Sequence, residues 1–349
     1  MEGWIPTKRL LKITEFADKF CGKVEPMHRY IYLYFDKVLR VSMTDGCAIA
    51  DIYFSKEFFP FKNIYKISIQ HLKGLLKGLK EEKTPFVRML ALDEGLKVEL
   101  DDVTLNIESE NDEKPEIILK NPELITNINL KKYIANLDFC SVQSLEGDLI
   151  NIVSDNDYEF WGYFEGYNMI TYSHFGRSKI KFSMEIPYVT VRHIIKSLSL
   201  LTEERIGLYL NENSIFIKGK GIKINICGAI NPVISNIKPA INPLESKKIN
   251  LKTLRDILNK TYTSLPANVR VFLILGKESY ILAKDKNTTL TWKINLKFNH
   301  NYLAEINHRK LRSILSRLND NVFIELNEKK IMIHDKSRYL EIKVKEFSN

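Results

Sequence analysis

No run of 18 apolar residues occurs anywhere in the 349-residue chain, which excludes a membrane-spanning helix at once. The opening stretch MEGWIPTKRLLKITEF has no uninterrupted apolar core, so no secretory leader is expected. Cysteine is scarce: Cys21, Cys47, Cys140 and Cys227 stand far apart and lack metal-ligand spacing. They are expected to be buried thiols, and the chain cytoplasmic. The histidines form no HExxH pair, and neither GxxxxGK[ST] nor GxGxxG occurs. His71 and His308, near expected helix starts, read as surface groups rather than acid–base catalysts. Asp155-Asn156-Asp157 has the look of a ligand cluster, but its setting is a hairpin turn, where Asp and Asn are favoured for backbone reasons. No metal, cofactor or catalytic residue is therefore expected.

Negative charge is also in deficit. Asp and Glu number 43 against 52 Lys and Arg, which gives +9 and a pI near 9.1. That balance favours a polyanionic partner, nucleic acid before an anionic membrane surface. The length allows two or three domains with proper cores.

What is present is a recurring unit, clearest at residues 65–80, YKISIQHLKGLLKGLK. It reads as a short strand running into a helix near Gln70. Leu72, Leu75, Leu76 and Leu79 share the apolar stripe, and Lys73, Lys77 and Lys80 share an adjacent one. Gly74 and Gly78 cost helix propensity, a cost that close approach to a neighbouring helix would explain. Earlier, Thr7 is a plausible N-cap for KRLLKITEFADKFCG, with Leu10, Ile13, Phe16, Ala17 and Phe20 inward and Lys8, Lys12 and Lys19 outward. Between these helices YIYLYF and VLRVSM are expected as strands around an Asp-Lys turn. Thr44-Asp45-Gly46 makes a further turn into AIADIYF, and Phe58, Phe59 and Phe61 cluster with Pro60 in a loop.

The same order returns twice. KKYIANLDFCSV is a helix with Tyr133, Ile134 and Leu137 inward. Residues 187–201 form another, with Val191, Ile194, Ile195 and Leu198 inward and Arg192 and Lys196 one i, i+4 step apart. KTLRDILNKTY and HRKLRSILSRLN complete six helices, the last buried by Leu311, Ile314, Leu315 and Leu318. Strands fill the rest. The plan is strand, helix, three strands, strand, helix, three strands, in three copies at 1–122, 123–243 and 244–349. The fold class is α+β, with antiparallel sheets and the short helices gathered on one face.

That plan resembles the bacterial DNA sliding clamp, the beta subunit of DNA polymerase III, over essentially the whole chain. MTDGCAIA at 43–50 looks like the family's ATDG-type turn. Pro232 and Pro239 match its proline spacing at the end of the second domain. The last strand begins, as the family's does, with tyrosine: Tyr339-Leu340-Glu341-Ile342-Lys343-Val344. Two signatures depart from the family. Its TDGHRL-like turn is replaced by Ser154-Asp155-Asn156-Asp157-Tyr158-Glu159-Phe160, and its terminal MPxR by Ile342-Lys343-Val344-Lys345.

The resemblance implies a non-catalytic processivity factor, a homodimeric ring with sheets outside and helices facing double-stranded DNA. Polymerase and clamp loader would dock through short peptides in a cleft between the second and third domains, built here from Leu137, Tyr158, Phe160, Pro239, Ile342 and Val344. Candidate DNA contacts are Lys8, Lys12, Lys73, Lys77, Lys80, Lys131, Lys132, Arg192, Lys196, Lys252, Arg255, Arg309 and Arg312. By residue pattern alone these cations read equally as solvated helix faces. Two alternatives stay open: a divergent or virus-borne clamp paralogue that binds DNA or another partner without the usual ring, and a metal-dependent nucleic-acid enzyme.

Overall fold

The computed structural model describes residues 2–22, 26–77, 85–100, 103–108, 114–231, 237, 239, 242–266, 269–284 and 288–345, with backbone alone at 26, 27, 37 and 55–58. Its contacts fall into two compact units, Met1–Ile134 with Val189–Ile230, and Ala135–Tyr188 with Asn231–Asn349.

Among the described residues six α-helices form where the apolar spacing places them: α1 (Thr7–Phe20), α2 (Ile69–Leu76), α3 (Leu130–Cys140), α4 (Tyr188–Leu198), α5 (Lys252–Ser264) and α6 (His308–Leu315). Among the described residues the registered strand pairs are antiparallel, so the class is α+β as expected. The α2 helix stops at Leu76, where Lys77 turns extended. Gly78, Leu79 and Lys80 lie outside the described residues, as does Pro232.

In the first unit, Tyr30–Thr44, Ala48–Ser68, Ile222–Cys227, Ser214–Lys218, Arg205–Asn211 and Glu123–Asn129 form a six-stranded sheet in that order. A second sheet joins Glu2–Pro6, Phe86–Ala91, Gly95–Leu100 and Val103–Glu108. Leu10, Ile13, Phe16, Ala17 and Phe20 of α1 and Leu72 and Leu76 of α2 are buried, as their 3.6-residue spacing requires.

The first hairpin corrects two expectations. Asp36-Lys37 does not reverse the chain; Tyr30–Thr44 is a single 15-residue strand against the 21-residue Ala48–Ser68, with register shifts around Lys37. A two-residue reversal wants positive φ at both positions, which Asp-Lys does not favour, so the extra residues are absorbed as bulges. Pro60 and its aromatic neighbours are strand, not loop. The side chain of Phe58 is outside the described residues, but Phe59 and Phe61 are buried against Phe35, with ring centroids 4.8 and 4.7 Å away. The Asp45 turn forms as read: Asp45 Oδ1 accepts from the amides of Cys47 and Ala48, and Gly46 takes φ +98°.

In the second unit eight strands pair in the order Phe182–Pro187, Leu149–Ser154, Glu159–Glu165, Met169–Arg177, Arg338–Lys343, Lys330–His334, Asn321–Leu326 and Glu245–Asn250. A four-stranded sheet orders Thr289–Ile294, Ser279–Lys284, Arg270–Leu275 and Tyr302–Ile306. One core joins Leu254 and Leu258 of α5, Leu311 and Ile314 of α6, and Leu340 and Ile342 of the last strand. Pairing of Ala48–Ser68 with Ile222–Cys227, and of Met169–Arg177 with Arg338–Lys343, runs across the segment limits at 122 and 243. The threefold division therefore stands as a reading of the sequence pattern.

Candidate nucleic-acid interface

None of the six helices has a carboxylate in its first turn. A helix N-terminus carries about half a positive charge, which Asp or Glu ordinarily offsets. Here Lys8 follows Thr7 in α1, Lys131 and Lys132 follow Leu130 in α3, Lys252 opens α5, and Arg309 follows His308 in α6. These cations add to the dipole's positive end, at a cost of roughly 0.3–1 kcal/mol each in an isolated surface helix. Thr7 is the first residue of α1 rather than its N-cap; that place falls to Pro6, with no side-chain cap, whereas α3 and α6 are capped by neutral side chains. Asn129 Oδ1 accepts from Lys132 N at 3.1 Å, and Asn307 Oδ1 from Lys310 N at 3.0 Å.

Lys8, Lys12, Lys73, Lys77, Lys131, Lys132, Arg192, Lys196, Lys252 and Arg309 are all exposed, while Arg255 and Arg312 are half-buried. In the α1–α2 pair, Lys73 Nζ lies 3.0 Å from Asp18 of α1. With both groups partly solvated, that bridge contributes less than about 1 kcal/mol. A Cβ built on Gly74 meets nothing within 4 Å, so among the described residues the close approach expected of that glycine is absent.

The α5–α6 pair holds its cations differently. Arg255 donates to the carbonyls of Leu315, Leu318 and Asn319 and pairs with Asp320, which clasps α5 to the end of α6. Its guanidinium is thereby committed to the protein's own acceptors, against its expected place among the phosphate contacts. Arg312 Nε donates to Asn259 Oδ1 at 2.6 Å, and the guanidiniums of Arg309 and Arg312 stand 5.2 and 4.5 Å from the Tyr262 ring centroid. Between the helices, Arg255, Asn259, Arg312, Ser313 and Ser316 line a hollow of about 150 Å³. Tyr262 was missed in the sequence because it acts through partners 47 and 50 positions away.

His308 also departs from expectation. It is 2% exposed, not a surface group, and burial, then the charge of Arg309, hold its pKa below the ordinary histidine value. Asp155 Oδ1 accepts from the amides of Asp157 and Glu159, the work of a turn residue. Among the described residues, no three His, Cys, Asp or Glu side chains are grouped to hold a metal.

The six cleft residues divide by depth. Leu137, Phe160 and Ile342 are buried, the Phe160 ring tilted against that of Phe175 with centroids 4.9 Å apart. Tyr158 is exposed, held at φ +60° in its turn with Lys181 Nζ 5.0 Å from its ring, while Pro239 and Val344 are half-buried. Of the six, Tyr158, Pro239 and Val344 have surface to offer a partner.

No family model matches the sequence, and no curated protein matches it by sequence. Solved structures match it over its full length. The DNA polymerase III beta subunit of Pseudomonas aeruginosa aligns at a TM-score of 0.84 and 12% identity, covering 99% of this chain and 100% of that one. That of Borrelia burgdorferi aligns at 0.83 and 10%, covering both chains completely. The Helicobacter pylori beta clamp bound to a DNA ligase peptide aligns at 0.79 and 12%, covering 99% and 100%. Six helices, antiparallel sheets and end-to-end alignment establish that this chain has the fold of the bacterial DNA polymerase III beta sliding clamp.

Proposed function

We propose that the chain is a DNA polymerase processivity factor, a non-catalytic clamp that encircles duplex DNA as a homodimer. The observation that carries this reading is the set of six helix N-termini without a carboxylate, on a clamp fold. Sliding requires contacts to phosphates rather than to base edges, so that no sequence is favoured. Exposed lysines on short helices meet that need, since their heads can pass from one phosphate to the next. The contacts assigned to DNA are Lys8, Lys12, Lys73, Lys77, Lys131, Lys132, Arg192, Lys196, Lys252, Arg309 and Arg312. Polymerase and clamp loader would dock by short peptides over Tyr158, Pro239 and Val344, with Leu137, Phe160 and Ile342 as the floor. The ligase peptide on the Helicobacter pylori clamp supports that mode of docking. The protein would work in the cytoplasm.

The test is topological. Loaded protein should stay on nicked circular DNA through gel filtration and run off after linearisation; equal retention on both forms sinks the sliding mechanism. The altered turn at 154–160 and the altered terminus at 342–345 favour one second reading, a divergent clamp that serves another partner without closing a ring. Light scattering separates the two, since a monomer at micromolar concentration contradicts the homodimer.

A further inference from the structure

Two cysteines 180 positions apart in sequence face each other at the end of the first hairpin. Strands Ala48–Ser68 and Ile222–Cys227 pair with Ile222 opposite Ile52 and Ile226 opposite Ala48, so the next rung sets Cys227 opposite Cys47. A backbone hydrogen bond from Cys227 N to Cys47 O, 2.8 Å long, closes that rung. Directly opposed residues of an antiparallel ladder put their side chains on one face, with Cα atoms about 5.5 Å apart in hydrogen-bonded pairs. A disulfide spans Cα separations of about 4.4–6.8 Å.

The local backbone is fixed on this geometry. Asp45 Oδ1 holds the amides of Cys47 and Ala48 at 2.9 and 2.6 Å, and Asp45 Oδ2 is 3.0 Å from His193 Nδ1 on α4. Both thiols are free; Cys227 is exposed and Cys47 partly so, whereas Cys21 and Cys140 are buried. An oxidant in solution therefore reaches this pair and not the other two.

We propose that Cys47 and Cys227 form a reversible disulfide, a redox-operated clasp across the six-stranded sheet. The co-reactant is a low-molecular-weight disulfide. The Cys227 thiolate attacks one of its sulfurs, forming a mixed disulfide and releasing one thiol. The Cys47 thiolate then attacks the Cys227 sulfur and expels the second thiol. Two protein thiols lose two protons and two electrons, and the small disulfide is reduced to two thiols. Closing the bond ties the hairpin turn to the strand beside it, so those strands cannot part in local unfolding. This proposal is independent of the processivity reading.

The test treats the folded full-length chain with oxidised glutathione, quenches by alkylation and maps peptides by mass spectrometry without reduction. The expected result is a Cys47–Cys227 cross-linked peptide, two hydrogens lighter than the pair of thiols and restored by dithiothreitol. It should exceed the mixed glutathione disulfide by about tenfold, because the resolving thiol acts intramolecularly. Cys47→Ser should instead trap glutathione on Cys227, and oxidation should raise the Tm of the natural chain but not that of Cys47→Ser or Cys227→Ser. A stable mixed disulfide on Cys227 of the unaltered chain, or cross-links spread over Cys21 and Cys140, overturns the proposal.

Discussion

The α1–α2 and α5–α6 pairs descend from one sequence pattern, yet they hold their positive charge in opposite ways. On α1 and α2 the cations are lysines apart from the half-buried Arg9; the lysines are exposed, and Lys73 bridges to Asp18 at the surface. On α5 and α6, beside Lys252, Lys260 and Lys310, stand three arginines that are laid on Tyr262, bonded to Asn259 or clasped over the last turn of α6. A lysine is a mobile point charge, and an arginine in a fixed fork is a positioned one. The first pair is suited to contacts that move along a backbone. The second is suited to a standing contact, or to holding the helices themselves.

The largest effect expected from this difference falls on Arg255. Arg255→Met should destabilise the second unit by about 3 kcal/mol, because three carbonyls at the end of α6 lose a charged donor. Urea denaturation checks it. A loss below about 1 kcal/mol would mean that Arg255 is dispensable to the clasp and return it to the set of phosphate contacts.

The lysine side is tested by binding, not by stability. Replacing Lys8, Lys12, Lys73 and Lys77 together by glutamine should leave the unfolding midpoint nearly unchanged. Each lost phosphate contact should flatten the slope of log K against log salt by about 0.9. An unchanged slope would make these lysines solvated faces. A smaller effect belongs to the same helix pair: Gly74→Ala, with open space around its Cβ, should stabilise the fold by about 0.5–1 kcal/mol. A loss of DNA retention in that variant, with stability raised, would place a second molecule against α2.

All six helices were legible because Leu10, Ile13, Leu311 and Ile314 repeat at the helical period, and the period is a local property. The Asp45 turn was legible for the same reason. The long hairpin was not, since Asp36-Lys37 and Pro60 are turn residues by composition, and the burial of Phe35, Phe59 and Phe61 against one another decides otherwise. Charge on the helices could be read, but its commitments could not. Arg255 finds acceptors 60 to 65 positions away, and no spacing rule reaches that far. The cleft was read from a family pattern, which names positions without giving their depth, so Leu137, Phe160 and Ile342 were expected at a surface from which they are buried.

A last contrast lies within the second unit, where another clasp is made by charges that stay wet. Glu305 accepts from Arg270, at 3.0 and 3.2 Å, and from Lys345, and these bonds lower its pKa from 4.5 to about 2. A carboxylate whose folded pKa is depressed contributes stability above its unfolded pKa, and that contribution disappears as pH falls through the folded value. The window here runs from about pH 4.5 down to about 2. Because the Arg270 side chain is 66% and that of Lys345 42% exposed, screening should hold the effect below about 1 kcal/mol. Glu305→Gln should therefore be slightly less stable than the natural chain at neutral pH and level with it near the bottom of that window. Added salt should narrow the neutral-pH gap. If the gap persists undiminished in acid, the glutamate acts through its shape and hydrogen bonds, and the contrast with the Arg255 clasp is one of burial rather than charge.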